Sequence, residues 1–501
     1  MPERPLNSRT AAILALALVV RLLGILSRPI WYDEAFAILF SQKGFRAMLY
    51  GTLAPTGAGS ADIHPLGYYT LLWLWIKVFG DSLFAVRLLS ILAGLVSVYL
   101  IYLIALEALS DQKSAQLAML LVALAPFPIH YAQEIRMYSF LSMWLLLATY
   151  SYQQGSKTGN WRWWGLFSVS AAFAQYTHNL AAFYLLPLAL SPILQKDWKT
   201  FRSVVFAGLG GLVLYLPWLT QLPSQFAKIQ QAYWVERPDV SKILTLLLVY
   251  ITNTPLPDRL IAAALFFTLI IVMIGIYQTV KTSRQAAARG GLWVLYLSFA
   301  PPILLFLFSQ WRPVYIERAL IASGSIFNIW LAWVLTKTGL SNLARYSLSG
   351  LLLASFVLGI YQHVTYRDFP YGPFKELNES LRKRGEPQDV IIHSNKLTFL
   401  PAIYYDQDLS QKFIGDVPGS RADSLAPATQ EVLGVHGQAD IETAIGNAER
   451  IWYIIYQRSL DEYRAGGFST QPDIEYLASQ YKLELQETWD GLQVYLYVRQ
   501  P

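Results

Sequence analysis

The chain has 501 residues, 54% of them hydrophobic and only 14% charged, with a formal net charge of +6. A soluble domain carries about 25% charged residues, so much of this chain sits where charge is costly. The basic residues cluster in short loops between apolar runs, which excludes a nucleic-acid-binding stripe; the absence of cysteine excludes disulfides, thiol chemistry and cysteine-rich zinc sites.

A helix crossing the ~30 Å hydrocarbon core needs about 20 apolar residues. In chain order, spans are predicted near 10–27, 83–108, 114–131, 137–153, 161–177, 179–194, 203–220, 259–280, 292–308, 318–336 and 346–363. The first contains Arg21 and no small-residue cleavage site follows it, so it reads as an uncleaved membrane helix. Inner loops hold Lys113; Lys157 and Arg162; Lys196, Lys199 and Arg202; Lys281, Arg284 and Arg289; and Lys337 and Arg345. That bias orients the N-terminus inside. Eleven spans then leave the C-terminal part outside.

Two outer segments are long. In the first, residues 27–82, His64-Pro65-Leu66-Gly67 opens an apolar, aromatic stretch over 68–79 that is too short to span and fits an interfacial helix. The second, 221–258, holds another such helix at 241–251 and carries Lys228, Trp234, Glu236 and Arg237 as candidate phosphate or sugar contacts. From 367 onward the composition is that of a soluble domain. Strands are expected at 389–393, 451–456 and 492–498, and helices at 373–384 and 472–481. The expected architecture is therefore a polytopic α-helical membrane protein: a transmembrane domain over 1–366 and a small soluble α/β domain over 367–501.

Ionisable residues gather at the outer ends of the spans. Charges near membrane depth cost several kcal/mol unless paired or facing a wet cavity, so their convergence on one side suggests a site. Asp33 and Glu34 follow the first span. Asp33 reads as a general base for an acceptor hydroxyl, against the plainer reading of a solvated helix-end acid. Glu34 reads as support for Asp33, an acceptor contact or a metal ligand. Glu134, Arg136 and Tyr138 open the fourth span, with Glu134 and Tyr138 at i and i+4 on one helical face; the plainer reading is a polar packing clamp. Tyr315, Glu317 and Arg318 open the tenth, where the arginine fork suits a phosphate and the plainer reading is a residue snorkelling to headgroups. His64 and His178 are candidate ligands, acids or substrate contacts, although a lone histidine is more often structural.

An outer aromatic-Asp-Glu pair after the first span, then His64-Pro65-Leu66, Glu134-Ile135-Arg136-Met137-Tyr138 and Glu317-Arg318 in that order resemble the membrane-embedded GT-C glycosyltransferases, in particular the protein O-mannosyltransferase and aminoarabinose-transferase group. The resemblance implies a plasma (inner) membrane enzyme that moves one sugar, with inversion, from a polyprenyl-phosphate donor to an extracytoplasmic glycolipid, polysaccharide or protein acceptor. It makes Asp33 the base and assigns the donor phosphate to Arg318 and Arg136. Glu34, His64, Glu134, Tyr138, His178, Tyr315 and Glu317 would line the cavity, and some relatives hold a divalent metal near such acids. His64-Pro65-Leu66-Gly67 departs from the group, having one proline where many relatives have two. Competing readings are a polyprenyl-linked glycan flippase or other transporter, which the intramembrane Arg21 and Arg87 keep open, and an oligosaccharyltransferase of the same superfamily. The latter would carry a Trp-Trp-Asp-type motif, whereas the tail has Trp489-Asp490 alone.

Overall fold

The computed structural model describes residues 7–56, 59–231, 233–285 and 288–499. After α1 (Ser8–Leu22), the next segment folds as α2 (Tyr32–Gln42), α3 (Phe45–Leu53), two short paired strands β1 (Pro55–Thr56) and β2 (Gly59–Ser60), and α4 (Gly67–Phe79). There follow α5 (Leu83–Leu109), α6 (Gln112–Leu124), α7 (Pro126–Ala132), α8 (Tyr138–Thr158), α9 (Trp161–Thr177), α10 (Ala182–Leu194) and α11 (Trp198–Leu219). Next come α12 (Leu222–Gln231) and α13 (Ser241–Ile251), ahead of α14 (Asp258–Thr282), α15 (Arg289–Ser309), α16 (Ile321–Lys337) and α17 (Asn342–Thr365).

Each expected span falls on a helix or a pair of helices. Among the described residues six helices are long and apolar enough to cross a membrane, or seven if α6 and α7 form one span bent by 56°. The bend has a local cause: Pro126 opens α7 and, lacking an N–H, cannot continue the hydrogen bonding of α6. α16 is the buried centre, with Trp330 and Trp333 wholly enclosed. Their indoles lie against Gly275 and Gly291, where a Cβ would come within 2.4 and 2.3 Å of the rings. Only glycine permits so close an approach.

The tail forms a five-stranded mixed sheet in the order β4-β3-β5-β7-β6, from β3 (Val390–His393), β4 (Gln411–Phe413), β5 (Arg450–Tyr456), β6 (Tyr481–Trp489) and β7 (Leu492–Arg499). β3 runs parallel to β4 and β5, and β7 antiparallel to β5 and β6. The three expected strands coincide with β3, β5 and β7. β4 is short and β6 is a largely exposed edge, so neither carries the apolar run that marks the interior strands. α18 (Phe374–Arg384) packs on one face of the sheet, while α19 (Lys396–Tyr405) and α20 (Pro427–Leu433) turn toward the membrane helices. α19 packs on α2 and α20 on α3, and Phe399, Leu400 and Leu433 join the same apolar core as the membrane helices. The sheet domain therefore rests on the segment that carries Asp33.

Candidate active site

Pro29 and the extended backbone of Trp31 halt the chain before α2, and Asp33 and Glu34 occupy its first turn, where carboxylates complement the helix dipole. Successive helical residues point about 100° apart, so these neighbours meet different partners. Asp33 Oδ2 lies 3.3 Å from Nη1 of Arg318 and 3.7 Å from Nε of Arg136, and the Asp33 side chain keeps 15% exposure. Glu34, expected in the cavity, is instead enclosed with Arg87, 3.1 Å away and likewise without exposure. Glu34 also accepts the Ile135 N–H at 3.1 Å, and Arg87 donates to the carbonyls of Ile25 and Arg28. This ion pair locks the end of α1, the start of α2 and the 134–137 turn together. Arg21, the other intramembrane arginine, donates to the Ala17, Val122 and Ala123 carbonyls.

Arg318 sits in a 3-10 turn, Glu317–Leu320, that leads into α16. Its guanidinium lies 5.3 Å from the Tyr138 ring centroid, 5.8 Å from Trp234 and 5.9 Å from Trp31. Arg136 donates from Nη1 to the Tyr69 hydroxyl at 2.9 Å. Two guanidinium groups thus face one carboxylate, an arrangement with a positive excess suited to a further anion. Glu134 accepts the Trp31 indole N–H at 2.9 Å, and its Oε2 is buried without a partner. Burial pushes this carboxyl up to about 7 against the opposing pull of Arg28. The expectation that Glu134 and Tyr138 share a helical face is corrected: α7 ends at Ala132 and α8 begins at Tyr138, so the 134–137 backbone is a turn, and Tyr138 reaches the site from the first residue of α8.

His64 bonds Asp62 at 2.9 Å and stands edge-on to His178, with ring centroids 6.1 Å apart; the His178 ring lies 6.0 Å from Tyr138. Burial holds His178 neutral, its Nδ1 accepting the Leu180 N–H and its Nε2 lacking a partner. Glu317 pairs with Lys242 at 3.4 Å, and Tyr315 is buried edge-on against Phe306. Glu317 thus meets α13 and Tyr315 meets α15. In the 221–258 segment Trp234 reaches Arg318 and Lys228 is buried 3.9 Å from Asp423, whereas Glu236 pairs with Arg421 on the surface and Arg237 is exposed. Among the described residues no three His, Asp or Glu side chains converge as metal donors. Of the acids nearest the site, Asp33 faces two arginines, Glu34 is paired with Arg87, and Glu134 accepts an indole N–H on one oxygen alone.

One polar cluster escaped the sequence reading. Arg28 is buried among His130, His363 and the Tyr371 hydroxyl, with its guanidinium 4.4 Å from the Tyr371 ring. His130 meets Asn253, and His363 bonds Gln133 at 2.8 Å. The cluster joins the ends of α7 and α17 to the start of the sheet domain. His130 stands alone within the apolar run 125–132, which was its available signal; Arg28, Gln133, Asn253 and His363 each have polar neighbours and carry none.

A family model described as dolichyl-phosphate-mannose-protein mannosyltransferase matches residues 63–220. No curated protein matches by sequence. Among solved structures, ArnT from Cupriavidus metallidurans in the apo state is similar with a TM-score of 0.65 and 13% identity, covering 97% of each chain. The same protein bound to undecaprenyl phosphate gives 0.64 and 13%, again with 97% of each chain covered. The apo oligosaccharyltransferase of Archaeoglobus fulgidus gives 0.51 and 12%, over 98% of this chain and 74% of that one. The chain has the GT-C fold of these proteins, and the resemblance to the mannosyltransferase and aminoarabinose-transferase group is borne out.

Proposed function

We propose that this chain is an inverting glycosyltransferase that moves one sugar from a polyprenyl-phosphate donor to an acceptor hydroxyl on the extracytoplasmic side of the membrane. The observation that carries the reading is the carboxylate of Asp33 held between Arg318 and Arg136. The similar protein that was crystallised with undecaprenyl phosphate supports the class of donor.

In this reading the two guanidinium groups bind the donor phosphate in place of Asp33, which frees the carboxylate to take the acceptor proton. The acceptor oxygen attacks the anomeric carbon from the face opposite the phosphate. The C–O bond to phosphate breaks as the new glycosidic bond forms, and the polyprenyl phosphate leaves with its charge stabilised by Arg318 and Arg136. Trp31, Tyr138 and Trp234 shield that charge from solvent. One displacement needs one base and no carboxylate nucleophile, which agrees with a site holding one arginine-bound acid.

The test is incubation of the purified protein in lipid nanodiscs with a labelled polyprenyl-phosphate sugar and a membrane extract. The expected result is release of polyprenyl phosphate and a product whose anomeric configuration by NMR is opposite to that of the donor. Retention of configuration, or an untouched donor, would overturn the proposal.

A further inference from the structure

His178 stands in the turn between α9 and α10, where it caps the 3-10 turn Asn179–Ala181. Its neighbour Asn179 fixes that turn from three sides. Asn179 Nδ2 donates to the Ile63 carbonyl and to Gln225 Oε1 of α12, both at 3.1 Å, and Oδ1 accepts the Tyr215 hydroxyl of α11 at 2.7 Å. A side chain carried on such a brace holds its direction without help from a ligand.

The backbone also decides which ring nitrogen of His178 carries the proton. The Leu180 N–H, 3.1 Å from Nδ1, can only donate, so Nδ1 accepts and the proton of the neutral ring is on Nε2. Nε2–H is therefore a donor. The side chain is buried, and among the described residues this donor has no acceptor. An unmatched buried donor is costly, so the atom marks a position where something outside the chain accepts.

The surroundings narrow what that is. The His178 ring lies 6.0 Å from the Tyr138 ring, whose own hydroxyl is buried and unpartnered, and the same Tyr138 ring lies 5.3 Å from the guanidinium of Arg318. His178 is thus one side chain removed from Arg318, and the partly exposed His64 stands edge-on to it at 6.1 Å. An ammonium group cannot accept a hydrogen bond, and a phosphate is bound more strongly by the charged forks of Arg318 and Arg136 than by a neutral imidazole. A sugar esterified to a phosphate on those arginines carries hydroxyl oxygens into the space beside them.

We infer that His178 is a specificity-determining residue for the donor sugar, its Nε2–H donating to one hydroxyl oxygen of the transferred ring. The inference rests on the glycosyl-transfer reading above and deepens it by naming the group that reads the sugar. A site built to hydrogen-bond a substrate hydroxyl rejects the analogue without it far more strongly than an apolar pocket rejects a missing methylene.

The experiment uses the full chain in nanodiscs with a membrane extract and a panel of labelled undecaprenyl-phosphate hexoses and pentoses, followed by singly deoxygenated versions of the preferred donor. His178→Asn keeps an oxygen for the Leu180 N–H and removes the donor at Nε2. It should lower kcat/KM for the preferred donor by about 10- to 100-fold, while the inhibition constant of sugar-free undecaprenyl phosphate stays unchanged. The deoxy donor that lacks the contacted hydroxyl should be used equally by wild type and variant. His178→Gln, whose amide places an N–H near the Nε2 position, should restore part of the loss. An unchanged kcat/KM, equal weakening of sugar-free undecaprenyl phosphate, a loss shared by every deoxy donor, or an effect confined to the acceptor KM overturns the assignment while leaving glycosyl transfer standing. If the wild type transfers no sugar of the panel, the transfer reading fails and the role of His178 fails with it.

Discussion

Asp33 Oδ2 and Arg318 Nη1 lie 3.3 Å apart although 285 residues separate them. Asp33 comes from the first turn of α2 and Arg318 from the 3-10 turn before α16, so the contact joins α2 to the start of the central helix. With Arg136 beside them, one carboxylate is shared by two cations; in the proposed reaction, its displacement by the donor phosphate would couple donor binding to release of the base.

Asp33→Asn removes the proposed proton acceptor while keeping the shape of the side chain. Transfer should fall by about 10²–10⁴-fold, the usual worth of a positioned general base. Because the side chain is only partly buried, thermal unfolding of the variant should stay near that of the wild type. Turnover within a few-fold of normal would remove Asp33 from the role.

Arg318→Lys keeps the charge but loses the planar fork. A hydrogen bond to a charged group is worth about 1.5–3 kcal/mol, so the donor KM should rise by roughly 10- to 100-fold. Steady-state kinetics with varied polyprenyl-phosphate sugar reads this directly, and an unchanged KM would place the phosphate elsewhere.

Glu34 and Arg87 behave as a structural unit. Breaking a buried pair from one side strands a charge and costs about 3–5 kcal/mol. Glu34→Gln and Arg87→Met should each destabilise the protein severely, and the double variant should recover part of the loss in a double-mutant cycle of unfolding in detergent. Additive losses would show that the two residues do not act together.

His393 links acidity to the stability of the sheet domain. It is fully enclosed in β3, its Nε2 2.7 Å from the Gln411 side-chain oxygen, and burial pushes its pKa down to about 4. The unfolded chain binds the proton more tightly, so this contribution is intact above the ordinary value of 6.5 and is lost as pH falls through about 4. That amounts to ~3 kcal/mol over the window. Hydrogen exchange of the β3 amides, corrected for intrinsic rates, should show the loss in the wild type and not in His393→Gln.

Much of this architecture follows from the chain alone. Long apolar runs must form helices in lipid, because only a helix satisfies its own backbone there. The order of the outer-end polar residues, Asp33, then Glu134-Arg136-Tyr138, then Arg318, is likewise readable. α2, α3 and α19 were not anticipated, since helices this short draw their stability from packing on one another rather than from a span-length apolar signal.

The sequence by itself determined the membrane character of the chain, the interior strands of the tail and the short set of ionisable residues from which a site could be built. Only the tertiary structure decided which did what. Asp33 and Glu34 are adjacent and chemically alike, yet the turn of α2 aims one at two arginines and partial solvent and the other at an enclosed arginine. The physical reason is that a side chain's role depends on its partners and dielectric, and these come from residues tens to hundreds of positions away.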